Sequence, residues 1–272
     1  MKRNVVRTVC ILIALCCFGY LGFYYYQMKR NAEDAAAMEE LSKRSDHSMT
    51  VYTPPEPEED KAQEEEEGGK EEPKERRLYV LGQYQSLYEK NKNFIGWIAI
   101  DGTNINYPVM KSIYGNGEFY LDHNFDGEED KNGTLFMDDD CDIIRPSENW
   151  IIYGHNMKSG KMFGDLTDYK SEAFYREHPV VKFDTIYEQG IYDVMYAFES
   201  RVYQESTIAF KYYQFIDPAS EAEFDSAMRE MAADSFYDTG VTAQYGDRLL
   251  LLSTCDYNED NGRFVVVCRR RD

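Results

Sequence analysis

Cysteine is scarce in this chain and falls into no metal pattern. Six occur among 272 residues: Cys10, Cys16, Cys17, Cys141, Cys255 and Cys268. There is no CxxC pair and no Cys/His group with zinc spacing, which excludes a zinc-ribbon or finger domain. Three of the six lie in an apolar N-terminal run. The remaining three are too few to staple a long folded region, which excludes a disulfide scaffold. Basic charge is also short. Thirty Lys and Arg face fifty Asp and Glu, for a net charge of -20. A face that binds phosphate must be basic, so nucleic acid is excluded as a partner. Histidine occurs four times, at His47, His123, His155 and His178. No internal repeat is present. Long apolar runs are absent but for one.

That run is Val9 to Tyr26, which carries no charge. It meets the lower limit of about 18 residues for a spanning helix. Lys2, Arg3 and Arg7 precede it, Tyr24-Tyr25-Tyr26 closes it like an aromatic belt, and Lys29 and Arg30 follow. Residues 1–30 therefore read as a cytoplasmic tip and an uncleaved transmembrane anchor. The run is long for a signal peptide, and no small-x-small site follows it closely. The basic excess before it places the N-terminus in the cytoplasm and the rest of the chain outside the cell. Residues 31–75 read as an acidic, proline-containing linker. Glu56 to Glu75 holds eleven acidic and three basic residues. Such a stretch buries too little apolar surface to offset the entropy of ordering, and its charges repel. His47 falls here and carries no catalytic expectation.

The folded domain is expected over 76–272. Leu81, Tyr84, Leu87 and Tyr88 at helical spacing predict a first helix ending near Lys90. Strands are expected at Phe94–Ile100, Ile105–Met110, Thr134–Met137, Trp150–Tyr153, Val180–Tyr187, Ile191–Tyr203, up to Leu252, and at Phe264–Arg269. Pro108 pushes the second toward a sheet edge. Ser220-Glu221-Ala222-Glu223 fits a capping box, and Phe224, Ala227, Met228 and Met231 share one helix face, so one late helix is expected. Many short strands with few helices predict a mostly-β barrel or sandwich.

The chemistry is expected at Leu249-Leu250-Leu251-Leu252-Ser253-Thr254-Cys255-Asp256-Tyr257. A buried strand there ends in small polar residues, with Cys255 at its tip. A cysteine so placed is held rigidly yet reachable by solvent. The following strand begins at Gly262-Arg263, so pairing would return Arg263 to Cys255. Tyr153-Gly154-His155-Asn156-Met157 puts His155 at a strand end in the same way. His178 before Pro179 reads as a turn residue and His123 as loop packing. A Cys–His–Arg group suits acyl transfer. A free thiol titrates near about 8.5, and neighbouring positive charge favours the attacking thiolate. The imidazole can carry protons for the leaving and entering groups. The guanidinium can stabilise an oxyanion.

These stretches, with Asn106-Tyr107-Pro108-Val109 and Met162-Phe163-Gly164-Asp165-Leu166, resemble the sortase family across about residues 80–270. The late helix before the cysteine strand and the N-terminal helix resemble class B in particular. The resemblance implies an eight-stranded sortase-type β-barrel with an N-terminal helix and an inserted helix. It implies Cys255 as nucleophile, His155 as acid/base and Arg263 as oxyanion or substrate-orienting residue. Ser253 and Thr254 would line the acyl site, with Asn156 and Tyr257 completing the substrate-binding set. The implied partners are secreted proteins bearing a C-terminal sorting signal, in class B often of the Asn-Pro-Gln-Thr-Asn type or a Pro-x-Thr-Gly relative, and the amine of a lipid-linked peptidoglycan precursor. Cleavage would follow Thr, through a thioacyl-enzyme. No cofactor and no metal are implied.

Asp138-Asp139-Asp140 reads as a solvated loop, since no spaced carboxylate loop like an EF-hand surrounds it. Cys268 reads as a buried small hydrophobe, and a Cys141–Cys268 disulfide stays open. Two other functions also stay open: a pilin-polymerising enzyme whose acceptor is a lysine, and a membrane-tethered module that binds peptide without cutting it.

Overall fold

The computed structural model describes residues 2–45, 78–112, 115–204, 206–207, 209–256 and 261–271. Most of the expected linker, with His47, and Tyr257 lie outside the described residues. Helix α1 spans Lys2–Ser45. Within it Cys10–Arg30 has a mean hydropathy of 1.4, has no buried residue, and is long and apolar enough to cross a membrane. The helix runs past the boundary expected at residue 30. Residues 32–41, with four alanines, three glutamates, Met38 and Leu41, favour a helix and contain no Gly or Pro to stop one.

Eight strands follow: β1 Phe94–Ala99, β2 Asn106–Met110, β3 Leu135–Met137, β4 Asn149–Tyr153, β5 Val180–Thr185, β6 Ile191–Arg201, β7 Leu249–Asp256 and β8 Gly262–Arg270. They pair in a closed ring, in the order β1-β2-β3-β4-β7-β8-β6-β5. The mostly-β, eight-stranded expectation holds, with each observed boundary within a few residues of the predicted one. A closed ring has no edge, so Pro108 is not on an edge strand. β3 pairs only with Val109 and Met110, however, so Pro108 faces Trp97 of β1 where β2 has no second ladder partner. A residue without an N–H is tolerated there.

Leu249 to Leu252 on β7 and Phe264 to Cys268 on β8 are all fully buried. Strands apolar on both faces belong at the centre of a structure covered on both sides. The inside is filled by large rings, among them Trp150 set edge-on to Phe183 at 5.7 Å between centroids. Helix α2 (Gln85–Lys90) continues a 3-10 turn at Gly82–Tyr84, as expected for the N-terminal helix. α3 (Glu172–Glu177) was not expected. It is six residues long, half of them charged, and buries no residue fully. α4 (Glu221–Asp234) is the inserted helix, with Phe224, Ala227, Met228 and Met231 buried along one face. Ser220 Oγ accepts the Glu223 N–H at 3.3 Å, while the Glu223 carboxylate takes the Ala219 N–H at 2.9 Å. The box is therefore reciprocal, but reaches one residue further upstream than its usual form.

Candidate active site

β4 and β7 run parallel, Tyr153 beside Ser253, and both end at one rim of the barrel. β8 starts at that rim and pairs antiparallel with β7, with Cys255 directly opposite Arg263. Direct opposition brings backbones to about 5 Å, so both side chains belong to one patch. Cys255 is the penultimate residue of β7 rather than a loop residue beyond it, because the β7–β8 ladder extends to Asp256 and Gly262. The ladder holds its backbone while the thiol stays free and partly exposed.

Side chains extend the β4–β7 pairing past the end of β4. The Gly154 N–H donates to Ser253 O at 3.2 Å, and Thr254 Oγ1 donates to Gly154 O at 2.7 Å. Asn156 Nδ2 donates to Cys255 O at 3.0 Å. These bonds tie the segment carrying His155 to the one carrying Cys255. Gly154 must be small here. A Cβ at that position would lie 2.2 Å from a Leu135 methyl and 2.9 Å from the Phe163 ring. The ring of His155 is anchored as well, its Nε2 lying 2.6 Å from the Leu121 carbonyl oxygen. A carbonyl only accepts, so Nε2 carries the proton and Nδ1 is left for proton exchange.

A cavity of about 500 Å³ opens over this patch, lined by Cys255, His155, Arg263, Ser253 and Thr254, with Tyr212 and Tyr153 among its walls. All three expected catalytic residues therefore border one groove. Arg263 donates from Nη1 to Gly262 O at 3.0 Å and meets no carboxylate among the described residues. The expected substrate-binding residues fare differently. Ser253 and Thr254 border the groove but are almost fully buried. Thr254 bonds Gly154, as above, and Ser253 Oγ shares a 2.8 Å hydrogen bond with Tyr212 Oη. Their hydroxyls are thus committed internally, and the Asn156 amide braces Cys255. No metal-capable group of three or more His, Cys, Asp or Glu occurs among the described residues.

Three groove residues escaped the sequence reading. Tyr212 is buried, which pushes its phenol up to about 12, against the opposing pull of the Ser253 hydrogen bond and the Arg263 charge. It stays protonated at neutral pH. Tyr153 donates to Asp138 Oδ2 at 2.8 Å, and burial, reinforced by the Asp138 charge, holds its phenol far above the usual value. The Leu121 carbonyl is a backbone atom, and no residue type announces it. Tyr153 opens the His155 motif, where it was read only as the end of a strand. Tyr212, forty-three residues from Cys255, had no local signal.

Cys141 and Cys268 are both buried and unpaired, so they form no disulfide. Burial pushes the Cys141 thiol up to about 12 and Cys268 higher still.

A family model described as Sortase domain matches residues 98–271. The chain belongs to the sortase family. Two relatives extend the likeness to the sortase B kind. Sortase B of Staphylococcus aureus is 30% identical over 193 residues, covering 70% of this chain and 75% of that protein. Sortase B of Listeria monocytogenes is 33% identical over 189 residues, covering 69% and 73%. The crystal structure of sortase B from Bacillus anthracis in complex with AAEK1 superposes with a TM-score of 0.69 at 27% identity, over 90% of this chain and 98% of that one. This sortase is accordingly an enzyme, a cysteine transpeptidase of the cell wall, and its inserted α4 and N-terminal helix belong to the class B form of the fold.

Proposed function

We propose that this sortase is anchored in the membrane by α1, N-terminus inside, and carries its catalytic domain, residues 76–272, outside on the acidic linker. Its substrates are secreted proteins with a C-terminal sorting signal, cut after Thr and passed to an amine of a lipid-linked cell-wall precursor. The single observation that carries this reading is the direct pairing of Cys255 with Arg263 across β7 and β8, with His155 on the same groove.

The Cys255 thiol passes its proton to His155 Nδ1, and the resulting thiolate attacks the threonine carbonyl carbon. Arg263, with no carboxylate to neutralise it among the described residues, donates to the oxygen as it gains negative charge. The C–N bond breaks, His155 gives a proton from Nδ1 to the leaving amine, and a thioester remains. The acceptor amine then attacks the thioester carbon, loses a proton to Nδ1, and the thiolate departs. Nε2 stays bonded to Leu121 O throughout, so the ring need not turn between the two half-reactions. The part-apolar groove takes the signal, with Ser253 and Thr254 in its lining and Asn156 bracing the Cys255 backbone behind it. Tyr257, outside the described residues, is proposed for the same set by the family resemblance. Inward-committed hydroxyls fit that role through shape and backbone rather than through hydroxyl contacts.

The full-length protein in detergent micelles, mixed with a panel of signal peptides that includes Asn-Pro-Gln-Thr-Asn, is expected to release the C-terminal fragment. Cys255→Ala and His155→Ala should abolish release. Tight peptide binding without release, unchanged in Cys255→Ala, would instead establish a binding module.

A further inference from the structure

The anchor of His155 is itself built by a glycine on another segment. Gly133 has φ +59°, and a Cβ there would lie 2.3 Å from Leu121 O and 2.6 Å from Tyr120 O. Both obstacles are backbone oxygens, so no side-chain rotation relieves the clash. Leu121 O is the atom that accepts the Nε2 proton of His155. The neighbouring bonds lock this approach. The Thr134 N–H donates to Tyr120 O at 2.8 Å, and Thr134 Oγ1 donates to His123 O at 3.0 Å. The Asp130 N–H donates to Asp122 O at 2.8 Å, and the Gly133 N–H to Asp130 O at 2.9 Å. The next residue, Leu135, begins β3 and packs where a Cβ on Gly154 would sit. Residues 133–135 thus locate His155 from two sides: by the carbonyl that holds its ring and by the residue that precedes it.

We propose that Gly133 is a positioning residue for His155, its missing side chain letting the Leu121 carbonyl reach Nε2 and thereby fixing which ring nitrogen faces the groove. The inference rests on His155 as the proton carrier. A Cβ at Gly133 forces the 120–122 turn outward, weakens the bond to Nε2 and lets the ring adopt the other tautomer, in which Nδ1 is blocked by its own proton. Thr134 serves the same end more weakly, because its hydroxyl ties only the His123 end of the turn.

The test uses the full-length protein in micelles, labelled with ¹⁵N-histidine, with His155 assigned by its loss in His155→Ala. The wild type should show a protonated Nε2 and an unprotonated Nδ1 in the neutral ring. Gly133→Ala should lose that single tautomer. Its kcat on the quenched Asn-Pro-Gln-Thr-Asn peptide should fall by about 10²-fold, the cost of misplacing a reacting group by an ångström, with KM little changed. A folded Gly133→Ala with the wild-type tautomer overturns the inference, as does a wild type protonated at Nδ1. If Gly133→Ala does not fold, Gly133→Asn decides, because asparagine is among the non-glycine residues that best tolerate positive φ yet still carries the Cβ. The wild-type tautomer retained in it overturns the inference. If the peptide is not cut, the nitrogen signals decide alone. Retained turnover in His155→Ala refutes the catalytic reading. An inactive His155→Ala beside an unaffected Gly133→Ala refutes the positioning role only.

Discussion

Arg263 sits opposite Cys255 with its guanidinium unneutralised by any described carboxylate, and this arrangement sets what its replacement should do. Lysine keeps the charge but loses the planar fork of donors. Arg263→Lys is expected to lower kcat by about 10²-fold, the scale of one lost oxyanion donor, while the melting temperature stays near wild type. Peptide turnover beside a thermal melt checks both halves. The cysteines differ just as sharply. Cys255 is partly exposed, whereas burial keeps the Cys141 and Cys268 thiols protonated and out of reach. Iodoacetamide at neutral pH should label Cys255 alone within the folded domain, and Cys255→Ala should resist labelling there until denatured. Mass mapping of the digested protein reads the result. Residue identity pointed to Cys255, His155 and Arg263, which the fold brings to one groove, because a thiol, an imidazole and a cation each followed a strand signal or a glycine. It could not announce Leu121 O or the Tyr212–Ser253 bond, since both depend on where distant segments come to rest.

Among the elements, α4 shows how far a local signal reaches. Its cap, its apolar face and its length are all written in consecutive residues, and the helix forms as they dictate. Ser220→Ala should cost about 1 kcal/mol, as for other N-caps, measured by urea unfolding. An unchanged midpoint would mean that packing against the barrel alone holds the helix. The strands were legible because apolar runs alternate with Gly, Asp and Asn turns. Their partners were not, with one exception: only five residues of sequence separate β7 from β8, so antiparallel pairing and the meeting of Cys255 with Arg263 followed. The parallel β4–β7 pairing joins segments nearly a hundred residues apart and has no sequence signature. α3 was missed because its six positions are too few to show a helical period. The extension of α1 was missed because proximity to the acidic tract outweighed ten residues of good helix propensity.

The whole molecule separates function from stability along the barrel. Cys255 and Arg263 lie at one end of β7 and β8, and Arg248, Arg270 and Glu188 cluster near the other. Desolvation alone would raise the Glu188 carboxyl, but Arg270 and Arg248 outweigh it and hold it below its usual value. A carboxylate lowered on folding adds stability that is complete above the unfolded value and lost as pH falls through the folded one. Glu188→Gln should therefore melt lower than wild type at neutral pH, with the gap narrowing below about pH 4, where both forms are uncharged. A gap independent of pH would show that the ion pairs contribute nothing. At the other end, rate against pH should be bell-shaped, since the reaction needs one group deprotonated to attack and another protonated to serve the leaving amine. The central claim is that Cys255, His155 and Arg263 act together on one acyl group. Intact-mass spectrometry of the full-length protein after brief exposure to a cleavable signal peptide tests it most directly. The account predicts an adduct equal to the peptide through Thr, mapped to Cys255 and discharged by an added glycyl amine. Peptide cleavage with no adduct in the wild type, or undiminished cleavage in Cys255→Ala, would contradict it.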